Sequence, residues 1–294
     1  MTQEREKYIP PDRRRGKVGN LYFEGLIPPE IKHKEIVLFI HGSGMNYRSG
    51  LPLVEFFAHP ENGYRAFTFS LRGHTGSEIP QEEFAKTTMD DYLKDVRDMS
   101  NYLKQEFGID FKDQIIIGHS MGGLLAMKHV EQHGARILIL MSSALPKELI
   151  ERFGPENVYP KLTPQTIEIM KKEITQGKIH HKPKERLVEY FSVLPPDFEE
   201  KFNEKYAPLL SLEAPIPRLD TYINPPSIDP EKIKCPVLVI AGSKDVIDPK
   251  FFKELANYLK GDYKEYLVGH AMMYEEKWPE IAQQMRQWIE ENIK

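Results

Sequence analysis

The stretch IGHSMGG at 117–123 sets a serine among glycines, directly after the apolar run 115–117. A serine hydroxyl alone is a weak nucleophile. It attacks an acyl carbonyl when a base takes its proton, a third group orients the base, and N–H donors hold the oxyanion. The spacing G-x-S-x-G suits a tight strand-to-helix turn, with Ser120 raised in a strained conformation and the next helix aiming its N-terminus at it. The bland alternative is a structural turn serine. Ten histidines are available as bases. His41 lies in HGSG (41–44), His74 in RGHTG (72–76) and His270 in YLVGHAMM (266–273). His119 adjoins the serine, and its side chain is expected to point away from the pocket. His180 and His181 are adjacent and lack helical metal-ligand spacing. His129 and His133 stand at i,i+4 with no third ligand suggested, and read as a solvated helix face. For the orienting acid, AGSKDVIDP (241–249) offers Asp245 and Asp248. Asp248, directly before Pro249, makes a good helix N-cap.

Such groups need a rigid frame. Short apolar runs occur at 34–40 (KEIVLFI), 64–71 (YRAFTFSL), 114–117, 136–141 (RILILM), 236–241 (PVLVIA) and 265–268. They are continuous rather than alternating, which predicts strands covered on both faces in a parallel sheet. Between them, 90–107, 121–133, 249–259 and 278–293 carry helical spacing or helix signals, with Gly108, Gly134 and Gly261 as stops. The alternation predicts a doubly wound α/β fold. From about 145 to 230 the rhythm breaks. Twelve of the 23 prolines fall in 151–230, and only short amphipathic pieces such as 166–174 and 184–191 appear. Leu, Ile, Phe and Tyr remain too frequent there for a disordered linker. The expected layout is a lead segment over 1–16, a core over 17–144 and 231–294, and a mainly helical cap inserted at 145–230.

With 294 residues, 40% of them hydrophobic, a large core can be buried. The net charge of −4 offers no global basic field for nucleic acid. The densest basic spot, Arg13 to Arg15, reads as part of a solvated lead segment. The single cysteine, Cys235, excludes an intrachain disulfide and a Cys-based zinc site. The first fifteen residues hold no apolar leader and no apolar run approaches a bilayer span, so a soluble, cytoplasmic protein is expected.

GHSMGG, with HGSG upstream and RGHTGS between, resembles the α/β-hydrolase superfamily. The nearest likeness is to capped esterases and monoacylglycerol lipase or lysophospholipase-like members, from about Lys17 to the C-terminus. The resemblance implies a mostly parallel doubly wound sheet with an inserted cap and a triad in the order Ser120, Asp245, His270. It makes Asp245, three residues after Gly242, the orienting acid. It assigns the oxyanion hole to the N–H groups of Ser43 and Met121, and gives His41 and His74 bracing roles. Gly42, Gly44, Met45 and Met272 are expected near the substrate. Two departures stand out: 69–72 reads FSLR where the family often carries an Asp, and Thr75 replaces a frequent Gly.

The expected chemistry is hydrolysis of a small-molecule acyl ester, lipid-like or of short to medium chain, with no metal or cofactor. C–C, thioester or amide cleavage could run on the same triad. A ligand-binding receptor that lost turnover is a third reading. Serine at position 120 argues against an Asp-nucleophile dehalogenase or epoxide hydrolase.

Overall fold

The apolar runs lie side by side because alternate residues of each find a covered face. The computed structural model describes residues 9–293. Among them ten strands form: β1 (Asp12–Val18), β2 (Leu21–Ile27), β3 (Ile36–Ile40), β4 (Arg65–Phe69), β5 (Gln114–His119), β6 (Ile137–Met141), β7 (His180–His181), β8 (Leu212–Glu213), β9 (Val237–Gly242) and β10 (Asp262–Tyr266). Eight build one sheet in the order β1-β2-β4-β3-β5-β6-β9-β10. It is parallel from β4 to β10 and antiparallel at β1/β2 and β2/β4.

Period-two alternation divides the strands between two cores. Leu38, Ile116, Leu138 and Val239 face a core closed by the helices Met89–Phe107, Met121–His133 and Pro249–Leu259. Phe39, Ile117, Ile139 and Leu238 face the opposite core, under the helices Leu51–Phe57 and Trp278–Asn292. The helix ends carry the chemistry the sequence announces. Thr88 and Asp91 form a capping box, Gly108 closes that helix at φ 68°, and the Asp248 side chain accepts from Lys250 N–H.

Three features depart from the sequence reading. The arginines at 13–15 are solvated, as read, but they do not belong to a lead segment: they lie in edge strand β1, where Arg13 and Arg15, two residues apart, both reach the buried Glu24 of β2. The sheet therefore begins before residue 17; residues 1–8 of the expected lead segment lie outside the described ones. The last strand sits three residues earlier than 265–268, because an edge strand lacks the continuous apolar signature of a buried one. His129 is buried rather than solvated, with Nε2 3.2 Å from Ser100 Oγ.

The segment between β6 and β9 holds short helices, including Pro164–Thr175, Lys184–Val188 and Pro215–Ile223. It also holds an unanticipated antiparallel pair, β7 with β8. No helix among the described residues is long and apolar enough to cross a membrane.

Candidate active site

Ser120 stands between β5 and the helix Met121–His133 with φ 55° and ψ −124°, outside the comfortable backbone regions for a residue with a Cβ. The strain is held from three directions. Ser120 N–H donates to Met141 O at 3.1 Å, and its carbonyl accepts from Gly123 N–H (2.9 Å) and Ala144 N–H (3.0 Å). Met121 carries the first amide of the helix, a position with no intrahelical acceptor.

The HGSG loop crosses directly over this turn. A Cβ on Gly42 would lie 2.8 Å from Ser120 Cβ, so only glycine allows the approach. His41 braces the loop as expected: Nδ1 donates to Gly42 O (2.9 Å) and Nε2 accepts from Leu71 N–H (3.1 Å). Burial, and next the neighbouring His74, pull its pKa down to about 3. The following peptide, from Ser43 to Gly44, is gripped at both ends. Lys182 Nζ donates to Ser43 O, and Gly44 N–H donates to Glu213 Oε2 at 2.7 Å. A trans peptide directs its C=O and N–H to opposite sides, so the Lys182 and Glu213 groups flank it.

Asp245 lies in the turn after β9, and His270 follows β10. His270 Nδ1 sits 3.0 and 3.1 Å from the two Asp245 carboxylate oxygens, and Ile247 N–H donates to Oδ1 at 3.0 Å. Burial pushes the Asp245 carboxyl upward, but His270 and the donated hydrogen bonds outweigh it and hold the pKa below the ordinary value. His270 is fixed from its backbone as well. Ala271 N–H donates to Tyr190 O (2.8 Å), and Gly269 N–H donates to Glu275 Oε1 (2.7 Å). His119 does not point away from the pocket. Its Nε2 donates to His270 O at 2.9 Å and its ring centroid lies 4.8 Å from that of His270. The cause is the carbonyl it braces. Burial, then repulsion from His270, lower its pKa to about 3, so it stands neutral.

Ser120, Ser43 and His270 all line two connected spaces: a small apolar one with Met45 and Met273, and a cavity of about 290 Å³ that runs under the 145–230 segment. Gly42 and Met45 line the small space. Gly44 and Met272 do not. Gly44 is turned to Glu213, and Met272 is fully buried in the core beneath the C-terminal helix. Met273, one residue on, takes that place. Lys182, Glu213, Tyr190 and Arg186 were not anticipated. They come from the inserted segment, where no local pattern marks a residue that a distant loop will meet. Thr75, one of the two departures, donates its N–H to Ser211 Oγ of that segment at 3.0 Å.

These elements also align with known proteins. The chain is 27% identical over 119 residues to "Epoxide hydrolase 3" of Xenopus tropicalis, a stretch covering 39% of this chain and 29% of that protein. The chain spans less than a third of the length of the curated relatives it matches. Among solved structures it resembles a soluble variant of monoglyceride lipase from Saccharomyces cerevisiae (TM-score 0.69, 15% identity, 99% of each chain covered). It also resembles the monoacylglycerol lipase of Paleococcus ferrophilus (TM-score 0.65, 20% identity, 92% of this chain and 99% of that one). At such identities the likeness is one of fold. The model of the alpha/beta hydrolase family matches residues 37–284. The chain belongs to the alpha/beta hydrolase family.

Proposed function

We propose that the protein is a serine hydrolase that cleaves carboxylic esters through an acyl-enzyme intermediate, with Ser120 as nucleophile, His270 as base and Asp245 as its orienter. The observation that carries this reading is the meeting, in one cavity, of a strained Ser120 with His270, whose Nδ1 is held by a carboxylate kept ionised.

On this reading the steps are these. Asp245 accepts from Nδ1–H, which leaves Nε2 of His270 unprotonated and able to take the Ser120 proton. Ser120 Oγ attacks the ester carbonyl. The N–H groups of Ser43 and Met121 hold the oxyanion. The His270 imidazolium then protonates the leaving alcohol, and water repeats the cycle on the acyl-enzyme. The segment 145–230 serves as a cap over this site, and Met45 and Met273 supply adaptable apolar surface beside the nucleophile. A cytoplasmic location belongs to the same reading and is supported by the lone, half-buried cysteine.

A fluorophosphonate probe tests the assignment. Wild type is expected to label and the Ser120→Ala protein to stay unlabelled; equal labelling of the two, or none of either, overturns it. A panel of p-nitrophenyl esters of increasing chain length, with monoacylglycerols and amides beside it, then sets the substrate class.

A further inference from the structure

The cavity under the cap carries a charge pattern that acyl transfer itself does not use. Lys161, Lys182, Arg186 and Arg218 line it, and among the described residues no carboxylate does. Three of the cations have partners outside the lining. Lys161 and Arg186 share Glu189, each at 2.6 Å, and Arg218 pairs with Glu173. Lys182 differs. Among the described residues no carboxylate lies within ion-pair distance of its ammonium, and its one hydrogen-bond acceptor is Ser43 O. An ammonium has three donors, so two remain for a ligand. Its nearest aromatic neighbour is Tyr190, whose ring centroid lies 5.0 Å away.

The count of charges narrows the ligand. Glu173 and Glu189 pair directly with three of the four cations, while Glu213 meets the Ser43–Gly44 peptide from the side opposite Lys182. His180, on the same wall, has its pKa lowered to about 4, first by burial and then by Arg218 and Lys182, so it is neutral near pH 7. Among the described residues Lys182 is thus the lining cation without an ion-paired carboxylate. Burial lowers the Lys182 pKa to about 8 against the opposing pull of Tyr222 and Glu213, so the ammonium stays mostly protonated at neutral pH. A volume of about 290 Å³ is at the small end for ligand sites, and suits a compact group better than a long acyl chain.

We propose that the substrate is an ester that also carries a carboxylate a few atoms from the scissile carbonyl, bound by Lys182 together with Arg186 and Arg218. The assignment rests on the serine-hydrolase reading of Ser120. A monoanion matches the one lining cation that has no ion-paired carboxylate, and guanidinium forks suit a planar carboxylate.

The test compares p-nitrophenyl hydrogen glutarate with its neutral methyl ester. In wild type kcat/KM is expected to favour the acid by about tenfold or more, and Lys182→Met to bring that ratio towards one. Because Lys182 also touches the oxyanion loop, the ratio is read rather than the rate, and Arg186→Gln provides a second variant if Lys182→Met does not fold. A preference for the methyl ester, or a ratio unchanged in both variants, overturns the proposal. Binding separates it from the reading beneath it. On the Ser120→Ala protein, monomethyl glutarate is expected to bind more tightly than dimethyl glutarate by calorimetry, and equal or weaker binding sinks the anionic subsite. Inorganic phosphate that competes better than the monoester also overturns the carboxylate assignment. Failure of wild type to label with fluorophosphonate or to cleave p-nitrophenyl acetate would instead strike the serine-hydrolase reading, and the binding arm would still decide the subsite.

Discussion

Glu213 and Gly44 stand 169 residues apart in the chain and meet in a 2.7 Å hydrogen bond, Gly44 N–H donating to Glu213 Oε2. Tyr92 O–H donates to the other oxygen at 2.7 Å, and His74 Nε2 lies 3.5 Å away. Burial alone would raise the pKa of this carboxyl. His74 and the donated hydrogen bonds outweigh burial and lower its pKa to about 2 from 4.5. A folded-state pKa below the unfolded one stabilises the fold above pH 4.5, and that contribution is lost as pH falls from 4.5 towards 2. Glu213→Gln should therefore cost about 1.5–3 kcal/mol at pH 7 by urea denaturation. The gap to wild type should narrow steadily between pH 5 and roughly 3. A gap that stays constant over that range would show that Glu213 is not ionised in the fold.

Asp245→Asn separates an orienting acid from a merely structural one. An amide offers an N–H towards His270 Nδ1 and favours the tautomer with the proton on Nε2, where the base must be free. Turnover of a p-nitrophenyl ester should fall by about 10³–10⁴-fold. The urea midpoint should move much less, since the amide still accepts the Ile247 N–H bond now made at 3.0 Å. A large fall in stability with modest loss of turnover would assign Asp245 to the scaffold.

His119 and His270 lie ring against ring, and their hydrogen bonds assign them different work. His119 Nε2 is spent on the His270 carbonyl, whereas His270 Nδ1 is spent on Asp245, which in the proposed mechanism leaves its Nε2 to act as the base. His270→Gln should lower kcat by at least about 10²-fold. His119→Gln, which keeps a donor for the His270 carbonyl, should retain most of the wild-type rate. Equal losses in the two variants would contradict this division.

What could be foreseen from sequence follows the range of the interactions. Ser120 and the histidine and aspartate that meet each other sit in local patterns, a glycine-flanked turn and two strand ends, so short stretches announce them. The central strands are legible for the same reason, because burial on both faces writes a continuous apolar run. Strand β1 escapes because its exposed arginines are explained only by Glu24 on the neighbouring strand. Lys182 and Glu213 escape more completely. Their partners are backbone atoms of the HGSG loop, well over a hundred residues away, and nothing in their own surroundings encodes that meeting. The inward turn of the His119 ring has a related cause: the acceptor that draws it lies 151 residues later in the chain.

Gly122 offers a test of the elbow itself. A Cβ there would run into the carbonyl oxygens of Ile40 and His41 at the end of β3. That strand cannot retreat, because β4 and β5 pair with it on either side in register. Gly122→Ala must then push the start of the helix Met121–His133 away from the HGSG loop, separating the Met121 and Ser43 amides that the proposed mechanism uses together. The steric term alone should cost about 1–3 kcal/mol, read as a lower urea midpoint. Fluorophosphonate labelling of the folded fraction should slow as well, since the paired donors no longer converge. A variant with unchanged midpoint and labelling rate would mean that the turn can shift without disturbing either the core or the oxyanion donors.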